Sequence, residues 1–276
     1  MSTARRDVQA TPVEPKPAAS VVLVRDAPPD SSEPLEVYMI RRNRNMRFLG
    51  GYYAFPGGKV DPDDGAAAAL ARCRGMDAAE AEGIFTGHQG TPALAFWVTA
   101  VRELLEESGI LLACDKDGRA FDPAAPRTRD AIERCRKALM AGEAPFTELI
   151  AREGWYCDLR SLRYLSHFIT PTSSPIRFTA RFFLSPMPPG QEPRLFTEET
   201  SEGFWIDPAA GVLRYEAGEM PMAEPASSGL RYLAGFGGVD ALWTAHADGR
   251  HKFHGIDDRL IAAGMKLAPR PGRPAS

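Results

Sequence analysis

The chain has 276 residues, between one and two domains at roughly 150 residues each. Apolar residues make up 44% and charged residues 25%, a globular balance that excludes a fibrous or wholly disordered chain. Lysine plus arginine number 33 against 36 aspartate plus glutamate, a net charge of −3. No global field draws this chain to nucleic acid or a membrane surface, so any anion site must be local.

Residues 1–17 are rich in Pro, Ala and Ser and read as a mobile tail, with Arg5, Arg6 and three prolines where a secretory signal would need an apolar core. The runs Ser20–Arg25 and Glu36–Arg41 predict two strands joined by a polar loop, and Tyr52–Phe55 a third, which Pro56 and Gly57 stop. The alanine-rich stretch Gly65–Arg74 predicts a helix, and Gly83–Pro92 a loop. Ala93–Gly109 repeats Val98, Val101 and Leu105 at helical intervals, with Gly109 as its stop. Helices are expected at 126–140 and Phe146–Glu153. Strands are expected at Leu162–Ile169 and Arg177–Leu184, with Pro186–Pro193 closing that hairpin. Phe204–Ile206 reads as a short strand, and Pro208–Glu219, Ala226–Gly235 and Val239–Ala247 as helices. From Pro269 the end is loose.

The longest uncharged stretch, Gly83–Val101, contains His88, Gln89, three glycines and Pro92, too broken for a spanning helix. Cys73, Cys114, Cys135 and Cys157 are too widely spaced for a zinc ribbon and read as reduced thiols. A cytoplasmic location is the expectation.

On a helix, Glu103, Glu106 and Glu107 fall within an arc of about 100°, opposite the apolar stripe of Val98, Val101 and Leu105. Like charges at this spacing repel, although Arg102 offsets part of the cost by pairing with Glu106. Such a face, when not simply solvated, is a set of hard oxygen ligands for magnesium or manganese. Upstream, Phe55-Pro56-Gly57-Gly58-Lys59 offers a tight backbone turn that can approach a phosphate, with a lysine charge beside it. Arg41, Arg42, Arg44, Arg47 and Lys59 form a run of cations with no acidic residue between positions 41 and 60. That is a local anion funnel. Glu198, Glu199 and Glu202 are loop acids that could serve as a general base. His251 and His254 have a loose metal-like spacing but read as a solvated turn, His167 as a core or pocket residue, and Trp97 as packing.

Together these pieces resemble the Nudix hydrolases, whose signature is G, five residues, E, seven residues, then R-E-U-x-E-E-x-G-U with U aliphatic. The second half is complete in Arg102, Glu103, Leu104, Glu106, Glu107, Gly109 and Ile110. In the first half, Asp64 stands where the pattern has Glu. The 37 residues between Asp64 and Arg102, against seven in the pattern, make an insertion of 30. Ahead of the box, Arg42, Arg47, Gly51, Phe55, Pro56, Gly57 and Gly58 are in register with the element of the coenzyme A diphosphatase branch, while Tyr38, Met39, Ile40 and Asn43 depart from it. The split box and the later strands look like the acyl-CoA diphosphatase type.

The resemblance implies a Nudix-type α/β/α sandwich with a mixed sheet over 18–247, a helical insertion at about 65–92, extra C-terminal helices, and a partly disordered extension over 248–276. It implies hydrolysis of the diphosphate of coenzyme A or an acyl-CoA to 3′,5′-ADP and (acyl-)phosphopantetheine, dependent on Mg2+ or Mn2+. The alternatives are another nucleoside diphosphate derivative, such as ADP-ribose or NADH, and a non-catalytic nucleotide sensor. Glu103, Glu106 and Glu107 would hold the metal, with Arg102 orienting them and Glu199 among the catalytic acids. Arg42, Arg47, Gly57, Gly58 and Lys59 would bind a small-molecule substrate, with no nucleic acid or membrane partner. The insertion is expected as a lobe outside the catalytic helix.

Overall fold

The computed structural model describes residues 13–31, 33–123, 125–195 and 200–247, and the backbone of 253–254. In chain order the strands and helices are β1 (Lys16–Asp26), β2 (Leu35–Arg42), β3 (Tyr53–Ala54), β4 (Gly57–Lys59), α1 (Ala67–Leu70), β5 (Cys73–Arg74), α2 (Ala78–Ile84) and α3 (Ala93–Ser108). They continue as β6 (Ala113–Cys114), α4 (Pro126–Met140), α5 (Phe146–Arg152), β7 (Tyr156–Asp158), β8 (Arg163–Ile169), β9 (Phe178–Pro186) and β10 (Thr200–Ile206). The last are α6 (Pro208–Glu216), α7 (Glu224–Leu233), α8 (Val239–Ala245) and β11 (Phe253–His254).

The main sheet runs β10-β2-β1-β9-β8-β11, with β3 beside β2 and β4 beside β1. It is mixed, because β1 pairs β9 in parallel while β2, β4 and β8 join antiparallel. Alternation along β1 sends Ala19, Val21 and Leu23 into a core under α3, and Val22 and Val24 into a second core under α6–α8. Both faces of this strand are therefore covered, which explains its unbroken apolar run. The result is the expected α/β/α sandwich with extra C-terminal helices. No described helix is long and apolar enough to cross a membrane.

Local differences from the sequence reading have physical causes. Strand β1 opens at Lys16, inside the stretch read as tail, because Lys16 and Pro17 pair with Phe178 and Thr179. Gly65–Arg74 is not one helix. A 3-10 turn at Pro62–Gly65 and the short α1 give way to β5, where Cys73 and Arg74 pair with Cys157 and Asp158. Pairing overrides alanine's helix propensity here. Helix α2 intrudes on the expected loop, started by a capping box in which Asp77 and Glu80 each accept the other's backbone N–H at 2.8 Å. The β8–β9 hairpin turns within residues 170–177, so Pro186–Pro193 leaves it instead of closing it.

The inserted segment is not a separate lobe. Ala69, Cys73 and Ala81 belong to the same core as α3. Phe85 stacks on Trp97 of α3 with ring centres 4.9 Å apart. Strands β5, β7 and β6 form a second small sheet, which joins the insertion to chain that follows the box.

Candidate active site

Helix α3 supplies the site because its two faces differ. Val98, Val101 and Leu105 are fully buried in the core, while the opposite face carries Arg102, Glu103, Glu106 and Glu107. Even there, Arg102, Glu103 and Glu107 are at most 8% exposed. Gly109 ends the helix in the left-handed conformation, φ 75°, and its N–H returns to the carbonyl of Leu105.

Arg102 organises the charges. Its Nε donates to Asp64 Oδ1 at 3.0 Å and its Nη2 to Asp64 Oδ2 at 2.9 Å, a two-point pair of the kind that fixes a guanidinium plane. Nη1 donates to Oε1 of both Glu103 and Glu106, each at 2.9 Å, and Nη2 also reaches the carbonyl of Lys59 at 2.7 Å. Asp64 is itself buried, and its Oδ2 accepts from the Thr99 hydroxyl at 2.8 Å and from the Asp61 amide at 3.0 Å. Asp64, at the position of the box's first acid and one methylene shorter, is brought to the helix by the 3-10 turn. The sequence pattern marks Asp64 as the box's first acid but gives no sign of Thr99 as its partner. The reciprocal spacing of Asp61 and Asp64 resembles a capping box, which is the signal that could have placed Asp64 at a helical turn.

Burial pushes the Glu103 carboxyl up to about 8, although the Arg102 charge opposes the shift. Burial likewise raises Glu106, again against Arg102. For Arg102, burial works against the charge, but Glu103, Asp64 and Glu106 outweigh it and hold the guanidinium protonated. One cation thus meets Asp64, Glu103 and Glu106, with Asp61 3.8 Å away, and Glu107 lies on the same helix. Their hard oxygens and unbalanced negative charge suit a divalent cation. Glu103 and Glu106 turn toward Arg102, and Glu107 Oε2 accepts the Gly57 amide at 2.6 Å. Among the described residues no three ligating side chains converge on one point.

The glycine pair has a packing role in this arrangement. A Cβ on Gly58 would collide with the Glu103 carboxylate, and one on Gly57 with Ser20 and the carbonyl of Ala19. Two glycines let β4 pass between β1 and α3, and the N–H of Gly57 is engaged by Glu107. Lys59 is exposed at the end of β4.

The cationic loop after β2 is more dispersed. Arg42 turns onto its own loop, with Nε 3.4 Å from the carbonyl of Phe48, and Arg47 is exposed. Arg41 pairs with Glu202 at 2.6 Å, so Glu202 is held at the sheet edge between β2 and β10. Glu198, Glu199 and His251 lie outside the described residues. His254 is placed only by its backbone, opposite His167. His167 Nε2 lies 2.8 Å from the Thr179 hydroxyl, and Trp97 is fully buried as packing.

The model of the NUDT19 Nudix domain matches residues 15–233. The chain is 28% identical over 272 residues to acyl-coenzyme A diphosphatase NUDT19 of Gallus gallus, covering 84% of this chain and 71% of that protein. It is 27% identical to putative nudix hydrolase 7 of Caenorhabditis elegans and spans about half of that protein's length, 52%. Among solved structures, a NUDIX hydrolase from Alicyclobacillus acidocaldarius matches with a TM-score of 0.64 and 30% identity, covering 84% of this chain and 96% of that one. A box helix with its Arg-Glu-x-x-Glu-Glu set in place, on this sheet and matched over this span, means that the chain belongs to the Nudix hydrolases, enzymes of diphosphate cleavage, in the family of the NUDT19 Nudix domain.

Proposed function

We propose that the protein hydrolyses the diphosphate linkage of coenzyme A or an acyl-CoA, giving 3′,5′-ADP and (acyl-)phosphopantetheine, with Mg2+ or Mn2+ as cofactor. The observation that carries the reading is the buried carboxylate cluster around Arg102, on a chain similar to an acyl-CoA diphosphatase. Arg42 and Arg47, in register with the coenzyme A element, favour that substrate over ADP-ribose or NADH.

Glu103, Glu106 and Glu107 are the residues that would hold the cation. A divalent ion there supplies charge compensation for the diphosphate oxygens and for the attacking water. Arg102 opposes the burial that raises Glu103 and Glu106 and orients their carboxyl groups through its donor fork. Asp64 locks Arg102 from the far side. Arg42, Arg47 and Lys59, beside Gly57 and Gly58, bind the anionic substrate, while Glu199 or a box glutamate takes the proton from water.

The test is a panel of coenzyme A, acyl-CoA, 3′-dephospho-coenzyme A, ADP-ribose and NADH with each metal at equal free concentration, the products resolved by mass. The expected products are 3′,5′-ADP and the phosphopantetheine half. Preference for ADP-ribose or NADH over every thioester would overturn the substrate while leaving the reaction class standing.

A further inference from the structure

The last turn of α3 carries Glu106 and Glu107, and its end is closed by groups of the box itself and by others from outside it. Gly109 N–H returns to Leu105, and the Ser108 hydroxyl donates to Leu104 at 2.6 Å. Ile110 N–H is drawn to the Ser108 hydroxyl at 3.3 Å, which leaves the carbonyl of Glu106 without its ordinary helical donor. Arg136 of α4 fills that position. Its Nε and Nη2 donate to the Glu106 carbonyl at 3.1 and 2.9 Å. The rest of the end is tied down as well, with Arg194 N–H on the carbonyl of Ser108 at 2.7 Å and the Gln191 amide bonded to both N–H and C=O of Leu111 at 2.9 Å.

Arg136 is 1% exposed. A guanidinium is rarely taken so far from water unless its donors are used, and here the fork faces the negative end of the α3 dipole. Ile132 and Cys135, one turn before it and beside it on α4, are buried by ordinary packing. The Tyr38 phenol lies within electrostatic reach of both Arg136 and Glu107. A buried cation thus grips the backbone of a residue whose side chain points into the site.

We propose that Arg136 is a positioning residue: by holding the Glu106 carbonyl with two donors, it fixes the angle at which Glu106 and Glu107 are presented to the reacting diphosphate. The kinetic part of this inference rests on the diphosphatase reading. The structural part does not.

The experiment compares Arg136→Met and Arg136→Lys with Cys135→Ala, a buried control on the same helix. Two quantities are read on the full chain: amide hydrogen exchange over residues 103–112, and kcat and KM for an acyl-CoA with magnesium. Arg136→Met is expected to speed exchange over 103–112 and to lower kcat roughly ten- to a hundredfold, the scale of a misplaced catalytic group, with KM within about threefold. Arg136→Lys, with a point charge in place of the fork, should recover part of the loss, and Cys135→Ala should leave kcat and local exchange near wild type. Folded Arg136→Met with wild-type kcat and exchange would overturn the proposal, as would an equal kcat loss in Cys135→Ala. If Arg136→Met fails to fold, Arg136→Lys decides in the same way. If the wild type cleaves no diphosphate, the functional reading falls and the exchange measurement alone judges Arg136.

Discussion

Asp64 and Arg102 lie 38 positions apart in the chain and meet in a two-point ion pair with Asp64 2% exposed. Breaking a buried pair by removing one charge typically costs about 3–5 kcal/mol, and the lower end applies here because Arg102 keeps Glu103 and Glu106 as partners. Asp64→Asn is therefore expected to lower stability by that order in urea denaturation and to lower turnover as Arg102 swings away. An Asp64→Asn protein within about 1 kcal/mol of wild type would show that the pair contributes little.

Gly58→Ala isolates the approach of β4 to the helix. The backbone at Gly58 is open to other residues, yet a methyl there collides with the Glu103 carboxylate. Turnover should drop at least about tenfold, while the melting temperature moves by only a few degrees. Normal kcat in this variant would mean that Glu103 has room to shift without consequence.

For Glu106→Gln, shape is kept and one charge is lost from the cluster around Arg102. The side chain retains partial solvent access, so stability should change little, while turnover should fall by orders of magnitude at saturating magnesium. Calorimetry and steady-state kinetics on the same preparation separate the two effects. Retained wild-type turnover would remove Glu106 from the metal site.

Replacing residues 65–92 by a short linker should abolish the cooperative melting transition, because Ala69, Cys73 and Ala81 leave the α3 core and β7 loses its partner β5. The milder Phe85→Ala removes a half-buried ring stacked on Trp97 and should cost about 2 kcal/mol. A linker variant that melts cooperatively at the wild-type temperature would restore the idea of a separable lobe.

Arg47→Ala tests the cationic loop. Coenzyme A carries a 3′-phosphate that its dephospho form lacks, and a charge-assisted contact is worth about 1.5–3 kcal/mol. The variant should lose roughly ten- to a hundredfold in kcat/KM with coenzyme A and less with the dephospho form. Equal losses on both would place Arg47 elsewhere on the substrate.

The sequence revealed features that depend on local periodicity. α3 was legible from its apolar stripe, and its end from Gly109; β1, β2, β8 and β9 were legible as apolar runs. The features that stayed hidden depend on distant partners. Cys73 and Arg74 become a strand only because β7 is there to receive them. Asp64 gains its role from a turn that folds back on α3, and Arg136 looks in sequence like any charge on an amphipathic helix. Gly57 and Gly58 stand out in sequence as a turn that can approach a phosphate, and the structure adds a packing role, in which their missing Cβ atoms bring β4 against the helix.

The small sheet places Cys73, Cys114 and Cys157 on its three strands, all buried as free thiols. Burial pushes Cys114 up to about 11, and the neighbouring Cys73 together with burial lifts Cys157 well above the usual thiol range. At neutral pH the folded sheet therefore shields Cys114 and Cys157 from alkylating reagents, which react with thiolates. Cys157 lies on the central strand between β5 and β6, so its alkylation requires the small sheet to open, and its rate reports how often the sheet that ties the insertion to the chain after the box comes apart.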